Sequence, residues 1–298
     1  MLISSLLPLL ALISPIASIS LPITNDQQQR QQPLSKTQHD QSHLKTHFRD
    51  IQLKDLPAVT TILVEAFSPS AAWHYLMPDL QHHKSEVWAC MHEQVEHAWR
   101  TRNTTRTFGK VITVVPPPSS SSNSNTEKEE ENQEEDDDEI PVSFSLWSVR
   151  HRDDLSASPS TTTNPLSILP SILTTCALPP GTNLTRAADF NDQNAAIERE
   201  YFTRPYAHQF YLALLATHPS WDGHGFGARH VQWGQERSRT LSLEFSLEPK
   251  MPVTLLASPA GYPLYDSLGF ESVENATISM LDGLGELWFE VMRWGTEG

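Results

Sequence analysis

Chemistry is most concentrated in the run Tyr211-Leu-Ala-Leu-Leu-Ala-Thr-His-Pro-Ser-Trp-Asp-Gly-His-Gly-Phe-Gly-Ala228. Phe210 to Ala216 is continuously apolar, which predicts a buried central strand. It feeds a turn holding Gly223, Gly225 and Gly227. Glycine tolerates positive φ and lets a ligand approach the main chain closely. A helix is expected to open near Gly227, and the N–H groups of its first turn have no intrahelical acceptor. Together with the helix dipole, these donors make an anion site from backbone rather than from lysines.

Several ligands compete for such a turn. Gly223-x-Gly225-x-x-Ala228 formally satisfies the dinucleotide-binding pattern, but five residues separate the strand from the first glycine. The next strand ends in Ala257-Ser258, with no acid for a ribose hydroxyl. The chain that remains is too short for a doubly wound sheet. No Lys-Ser/Thr follows, so a phosphate loop of the nucleotide-hydrolase type is excluded. A glycine turn with no ligand is the bland alternative. His218, His224 and His230 recur every six residues, which suits neither one helix face nor a zinc spacing, and no metal site is expected.

The elements that must position this turn follow from periodicity. Phe48 to Leu53 reads as a short strand, then Asp55 stands as N-cap before Val59, Ile62, Leu63 and Phe67 on a first helix. Lys84 to Arg100 is a second helix, with Val87, Trp88, Met91, Val95 and Trp99 on its apolar face. Phe108 to Val115 and Val142 to Val149 form a hairpin around a swollen turn. Val253 to Ala257 is a further buried strand. A short helix follows, then terminal strands near Phe270 to Val273 and Leu287 to Met292. The order is β-α-α-β-β-(α)-β-α-β-α-β-β, a mixed α/β sheet.

Three polar stretches interrupt this pattern. Residues 21–47 read as a linker, and two long disordered insertions are expected at about 116–139 and 153–194, leaving one domain over 48–298. Of the net charge of −15 on 298 residues, the run Glu127 to Glu139 contributes −9. The body is thus mildly acidic, which does not suit nucleic acid and is compatible with a cationic or amine-bearing substrate. Two cysteines, Cys90 and Cys176, are too few for a disulfide scaffold or a cysteine zinc cluster.

Met1 to Ser20 is uncharged and leucine-rich, with small residues at Ala17, Ser18 and Ser20. It reads as a signal peptide, although the positive n-region is missing and Pro8 and Pro15 interrupt it. An uncleaved anchor or a mis-assigned start are the alternatives. A true signal peptide places the protein in the secretory pathway or outside the cell; otherwise it is cytoplasmic. No stable membrane embedding is expected beyond this segment. Asn103, Asn183 and Asn275 begin N-x-S/T sequons that permit glycosylation on the secretory route.

Two motifs together resemble the GNAT-type N-acetyltransferases, particularly fungal members. Asp222-Gly223-His224-Gly225-Phe226-Gly227 falls in the frame of that family's R/Q-x-x-G-x-G/A loop. Downstream, Leu264-Tyr265-Asp266-Ser267-Leu268-Gly269-Phe270 is similar to its L-Y-x-x-x-G-F segment, and Arg49, Asp55 and Ala66-Phe67 fit the first strand and helix. The resemblance implies a sheet whose fourth and fifth strands splay apart around acetyl-CoA. It places the pyrophosphate on the backbone of Gly223, His224, Gly225, Phe226, Gly227 and Ala228, and the pantetheine near Leu215 and Thr217. It makes Tyr265 the acid that protonates the departing thiolate, since a phenol holds its proton at neutral pH. The acceptor would be an amine of a small molecule or a protein, with Phe67, Trp73, Tyr75 and Met77 either beside it or simply closing the core.

The sequence departs from the family pattern in two places. Asp222 stands where Arg or Gln is usual. The acids often found in the fourth strand and before the Ala-Ser-Pro turn are replaced, here by Leu212-Ala213-Leu214 and Leu256. His218 could relay the amine proton or be structural. The alternative function is a catalytically weak or inactive binding module on the same fold, secreted if Met1 to Ser20 is a true signal peptide.

Overall fold

The computed structural model describes residues 44–116, 139–152, 176, 178–247 and 250–295. The signal-like segment, most of the linker, residues 117–138 and residues 153–175 lie outside the described part, as do the expectations for them.

The chain forms one seven-stranded sheet in the order β1-β2-β3-β4-β5-β7-β6. Its strands are β1 (Thr46–Asp50), β2 (Thr107–Val114), β3 (Ile140–His151), β4 (His208–Thr217), β5 (Val253–Ala257), β6 (Glu271–Met280) and β7 (Gly285–Trp294). All neighbours are antiparallel except β4 and β5. The helices are α1 (Leu56–Phe67), α2 (Ala71–Leu76), α3 (Lys84–Thr101), α4 (Leu184–Glu198), α5 (Phe226–Glu244) and α6 (Tyr262–Ser267). This is the expected mixed α/β architecture, with helices on both faces of the sheet.

Two large cores, one on each face, hold it together, with a smaller cluster of Ile112, Val114, Val142 and Phe226 beside them. On one face, Leu63 and Phe67 of α1, Val87 and Trp99 of α3 and Phe190 of α4 pack with Tyr211 and Ala213 of β4. On the other, Val231 and Leu241 of α5 and Tyr265 of α6 pack with Trp147, Phe210 and Leu255. Helix α5 lies so close to β3 that a Cβ at Gly234 would stand 2.0 Å from the Trp147 ring. Only glycine permits that approach.

Three differences from the sequence reading have physical causes. Strand β1 begins at Thr46, inside the expected linker, because Thr46 and His47 complete the ladder with Val114 and Thr113. The acidic run is not solvated to its end: Glu139 accepts from Arg49 Nε at 2.9 Å and Thr113 Oγ1 at 3.0 Å, and contacts His47. These neighbours, His47 foremost, hold its carboxyl at about 2, below the usual range. The second insertion gives way at Leu184 to α4, whose buried stripe of Ala187, Phe190, Asn191, Asn194 and Ile197 follows a helical spacing that two asparagines disguise.

The cysteines, too few for a scaffold, form one cross-link. Cys90 on α3 is bonded to Cys176, 86 positions away. Cys176 N–H also donates to Glu93 Oε2 at 3.2 Å, and Gln94 Nε2 donates to Cys176 O at 3.3 Å. The chain approaching α4 is thereby fastened to α3. Among the described residues no helix is long and apolar enough to cross a membrane.

Candidate functional site

Strands β4 and β5 meet only at Phe210↔Val253 and Tyr211↔Thr254. Beyond that point β4 continues along β3 as far as Ser143↔Thr217, while β5 continues along β7 as far as Ala257↔Glu290. The strands are therefore held on their outer sides and part on their inner ones. The register of β4 against β3 slips between Leu146↔Leu214 and Trp147↔Leu212, leaving Ala213 as a bulge just past the last β4–β5 pair. Bulges re-aim the backbone and are frequent beside functional sites.

The glycine turn sits at the open end. Gly223 and Gly225 have φ of 80° and 76°, and neither would bring a Cβ within 4 Å of another atom. Their conformation favours glycine, and the space in front of them is free. Gly225 is the N-cap of α5 and lends no side chain to it. Its carbonyl accepts from Arg229 N–H, while the N–H groups of Phe226, Gly227 and Ala228 find no acceptor among the described residues. Gly223, His224 and Gly225 are exposed, Phe226 is buried, and Gly227 and Ala228 are half-buried. A short pocket of unpaired donors thus faces solvent at the positive end of a long helix.

The side chains around this turn are ordered by local bonds. His224 Nδ1 donates to the carbonyls of Trp221 and Asp222, at 3.0 and 3.1 Å, and its ring stacks on Phe226. Partial burial raises the Asp222 carboxyl above its ordinary value, opposed by His218 and His224. His218 Nδ1 accepts from Ser220 N–H at 3.2 Å, which makes it a cap of the turn that leaves β4. His230 has a different place: it is fully buried on the sheet-facing side of α5, bonded to Ser145 Oγ of β3 at 2.8 Å. Burial holds it neutral, with its pKa lowered to about 3. The three histidines point to three different tasks.

Tyr265 lies on α6, which begins with Gly261 as N-cap and Pro263 in its first turn, as the sequence predicts. Gly269, at φ 79°, ends the helix, and Phe270 N–H returns to Tyr265 O at 3.1 Å. The Tyr265 ring is 4% exposed and meets Phe270 edge-on. Its neighbour Leu264 crosses toward α5: a Cβ on Gly227 would touch Leu264 at 3.0 Å and Leu215 at 3.9 Å. Leu215 is buried and Thr217 half-buried, its hydroxyl bonded to Ser143 Oγ at 3.0 Å. Leu264, the neighbour of Tyr265, and Leu215 therefore both stand against the start of α5.

A second group was not legible in advance. Tyr211, at the last β4–β5 pair, is fully buried beneath the Arg150 guanidinium, 3.4 Å from its ring centre. Glu198, at the C-terminus of α4, approaches Arg150 at 3.7 Å. Burial first, and the Glu198 charge second, raise the Tyr211 phenol, while Arg150 opposes them. The Tyr211 hydroxyl and the Arg150 Nε and Nη2 atoms are buried without a hydrogen-bond partner among the described residues. One sign was available in the sequence: a tyrosine inside an otherwise apolar central strand brings a polar tip that needs company. Nothing local announced that α4 would carry a carboxylate to it.

Phe67, Trp73, Tyr75 and Met77 are all buried and close the core. Tyr75 also accepts from Leu281 N–H at 2.8 Å, in the turn between β6 and β7. Helix α4 is stitched to the same region by Gln193, which donates to Ser279 O and accepts from Ser279 N–H, both at 2.9 Å. An apolar cavity lies elsewhere, between α1, α3 and the sheet, lined by Leu63, Val95, Trp99, Phe144 and Ala213.

No protein-family model matches the chain, and no curated protein does. Solved structures show a partial likeness to it. A mosquito arylalkylamine N-acetyltransferase-like protein has 14% identity and a TM-score of 0.47, over 84% of this chain and 99% of that one. A protein from Corynebacterium glutamicum described as histone acetyltransferase HPA2 and related acetyltransferase has 15% identity and a TM-score of 0.46, over 85% and 97%. The NAA60 protein of Arabidopsis thaliana, solved with acetyl-CoA, has 11% identity and a TM-score of 0.42, over 85% and 100%. At these identities and scores the likenesses assign no activity to this chain.

Proposed function

We propose that this protein is an acetyl-CoA-dependent N-acyltransferase that acts on the amine of a small molecule or a protein. The observation that carries the reading is the junction of two features: strands that part after Tyr211↔Thr254, and a solvent-facing turn at the open end whose N–H groups lack acceptors. A diphosphate suits that turn because it brings several acceptor oxygens and negative charge to unpaired donors. The free backbone edge of β4 suits an amide-bearing arm, which pairs as a strand would.

Acetyl-CoA supplies a thioester whose acyl carbon is open to attack by a neutral amine. The N–C bond forms as the C–S bond breaks, and the sulfur leaves with the electron pair. In this reading Tyr265 of α6 gives that sulfur its phenolic proton. The amine must shed a proton, and we assign its removal to water leading toward Glu198, whose carboxylate α4 brings beside Tyr211. His218, engaged as a cap, is left out of this path.

Calorimetry of the full chain with coenzyme A, followed by free-thiol release with acetyl-CoA across a panel of amines, tests the proposal. Heat on binding and thiol release dependent on amine are expected. Tyr265→Phe should lower thiol release by about a hundred- to ten-thousandfold, the range of general-acid contributions. Absence of binding overturns the reading.

A second reading, a binding module without turnover, is favoured by Asp222 beside the turn and by Leu264 and Leu215 lying against Gly227. Its signature is binding of coenzyme A with no thiol release from acetyl-CoA with any amine.

A further inference from the structure

Three sequons are available, and the fold treats them differently. Asn183 is the N-cap of α4: its Oδ1 accepts from Arg186 N–H at 3.1 Å, and its backbone N–H donates to Leu76 O at 2.8 Å. It is half-buried. Asn275 lies within β6, and its Nδ2 donates to Glu290 Oε2 at 3.0 Å across the ladder to β7. Asn103 stands apart. It occupies the exposed turn between α3 and β2, and both it and Thr105 are exposed.

Local bonds also orient Asn103. Its Oδ1 accepts from Thr105 N–H at 3.0 Å and from Thr105 Oγ1 at 2.7 Å. Its backbone carbonyl accepts from Arg106 and Thr107 N–H, at 3.1 and 2.8 Å. With the side-chain oxygen and the sequon hydroxyl bound to each other, Nδ2 is left as the one polar atom of the side chain without a partner among the described residues. A bulky substituent on Nδ2 would project into solvent and break none of these bonds.

A second, independent feature bears on compartment. The Cys90–Cys176 bond joins two points 86 positions apart, and no free cysteine remains among the described residues. Such bonds persist where the surrounding thiol pool is oxidising, which is also where N-linked oligosaccharide is attached. The uncharged, leucine-rich stretch from Met1 to Ser20 is of the composition that directs a chain there.

We infer that the protein matures in the secretory pathway and carries an N-linked oligosaccharide on Asn103. In the covalent step, Asn103 Nδ2 bonds to the anomeric carbon of a lipid-diphosphate-linked oligosaccharide. The C–O bond to the diphosphate breaks, the lipid diphosphate leaves with the electron pair, and the amide loses one proton to a base of the transferring enzyme. This inference stands apart from the acetyl-transfer proposal, since neither its site nor its readout involves the wedge.

The test is expression of the full 298-residue chain in a eukaryotic host, with peptide N-glycosidase digestion and peptide mass analysis. The expected result is a mobility shift on digestion that is lost in Asn103→Gln and kept in Asn183→Gln. Thr105→Ser, which preserves the sequon hydroxyl, should keep the shift, and Thr105→Val should lose it, so a folding defect in one variant does not hide the answer. Thiol labelling without reductant should leave Cys90 and Cys176 unmodified. A wild-type chain with no shift, a shift that survives Asn103→Gln, or free thiols on both cysteines overturns the inference. A failure here leaves coenzyme A binding untouched, and the reverse holds as well.

Discussion

Removing the Cys90–Cys176 cross-link is the most informative single perturbation of this fold. The bond closes a loop of 86 residues. In the chain-entropy model, a loop of that length restricts the unfolded ensemble by about 15 cal/mol/K, or about 4.6 kcal/mol at room temperature. Cys176 is tied to α3 as well by the bond its N–H gives to Glu93 Oε2 and by the bond its carbonyl accepts from Gln94 Nε2. For a domain of this size each kcal/mol moves the melting temperature by about 2 to 4 °C, so a drop of roughly 9 to 18 °C is expected. The assay is thermal unfolding of oxidised wild type, of wild type in reductant, and of the Cys90→Ala/Cys176→Ala double variant. The second and third should agree with each other and fall well below the first. Melting of the double variant within about 3 °C of oxidised wild type would refute the loop-closure account, since that gap corresponds to about 1 kcal/mol.

Other outcomes follow from particular contacts. Gly234→Ala places a Cβ 2.0 Å from the Trp147 ring; urea unfolding should show a loss of about 3 kcal/mol or more, the upper range for overpacking. Asp222→Asn removes a negative charge beside the turn, and coenzyme A should bind about fivefold more tightly, because one charge at about 6 Å from a phosphate costs on the order of 1 kcal/mol. Added salt should narrow that difference. His230 is buried neutral with its pKa lowered to about 3, so the unfolded chain takes up this proton first as pH falls. Its contribution to stability is full above the unfolded value of about 6.5 and is lost progressively toward pH 3, at up to about 1.4 kcal/mol per pH unit. Unfolding measured from pH 7 to pH 4 should show that slope, and His230→Gln should remove it.

The fold was legible wherever a pattern was local. Val253–Ala257 is the strand its apolar run predicts, and Pro263 and Gly269 bracket α6 because one fixes φ in a first turn and the other reaches positive φ at the end. The glycine turn was legible for the same reason, as φ at Gly223 and Gly225 is a property of the residues themselves. What depended on distant partners stayed hidden. Thr46 and His47 look like linker until Val114 and Thr113 pair with them. Asn191 and Asn194 weaken the apolar stripe of α4, and the arrival of Glu198 at Arg150 depends on that helix docking across β4. The disulfide needed a three-dimensional answer too, since two cysteines alone do not say whether their Cα atoms come within the 5.3 Å observed.

The two pairs that join β4 to β5 have a mechanical meaning. Strands β1 to β4 form one leaf and β5 to β7 another, and the spine between them is Phe210↔Val253, Tyr211↔Thr254 and the side-chain bond from Thr254 Oγ1 to Gln209 Oε1 at 2.6 Å. Between the leaves the ladder is thus only two pairs wide, and α5, which packs against β3, β4 and β5, is another bridge across the gap. Any molecule that fills the gap touches both leaves at once. Its contacts would add one more bridge to the two pairs of the spine.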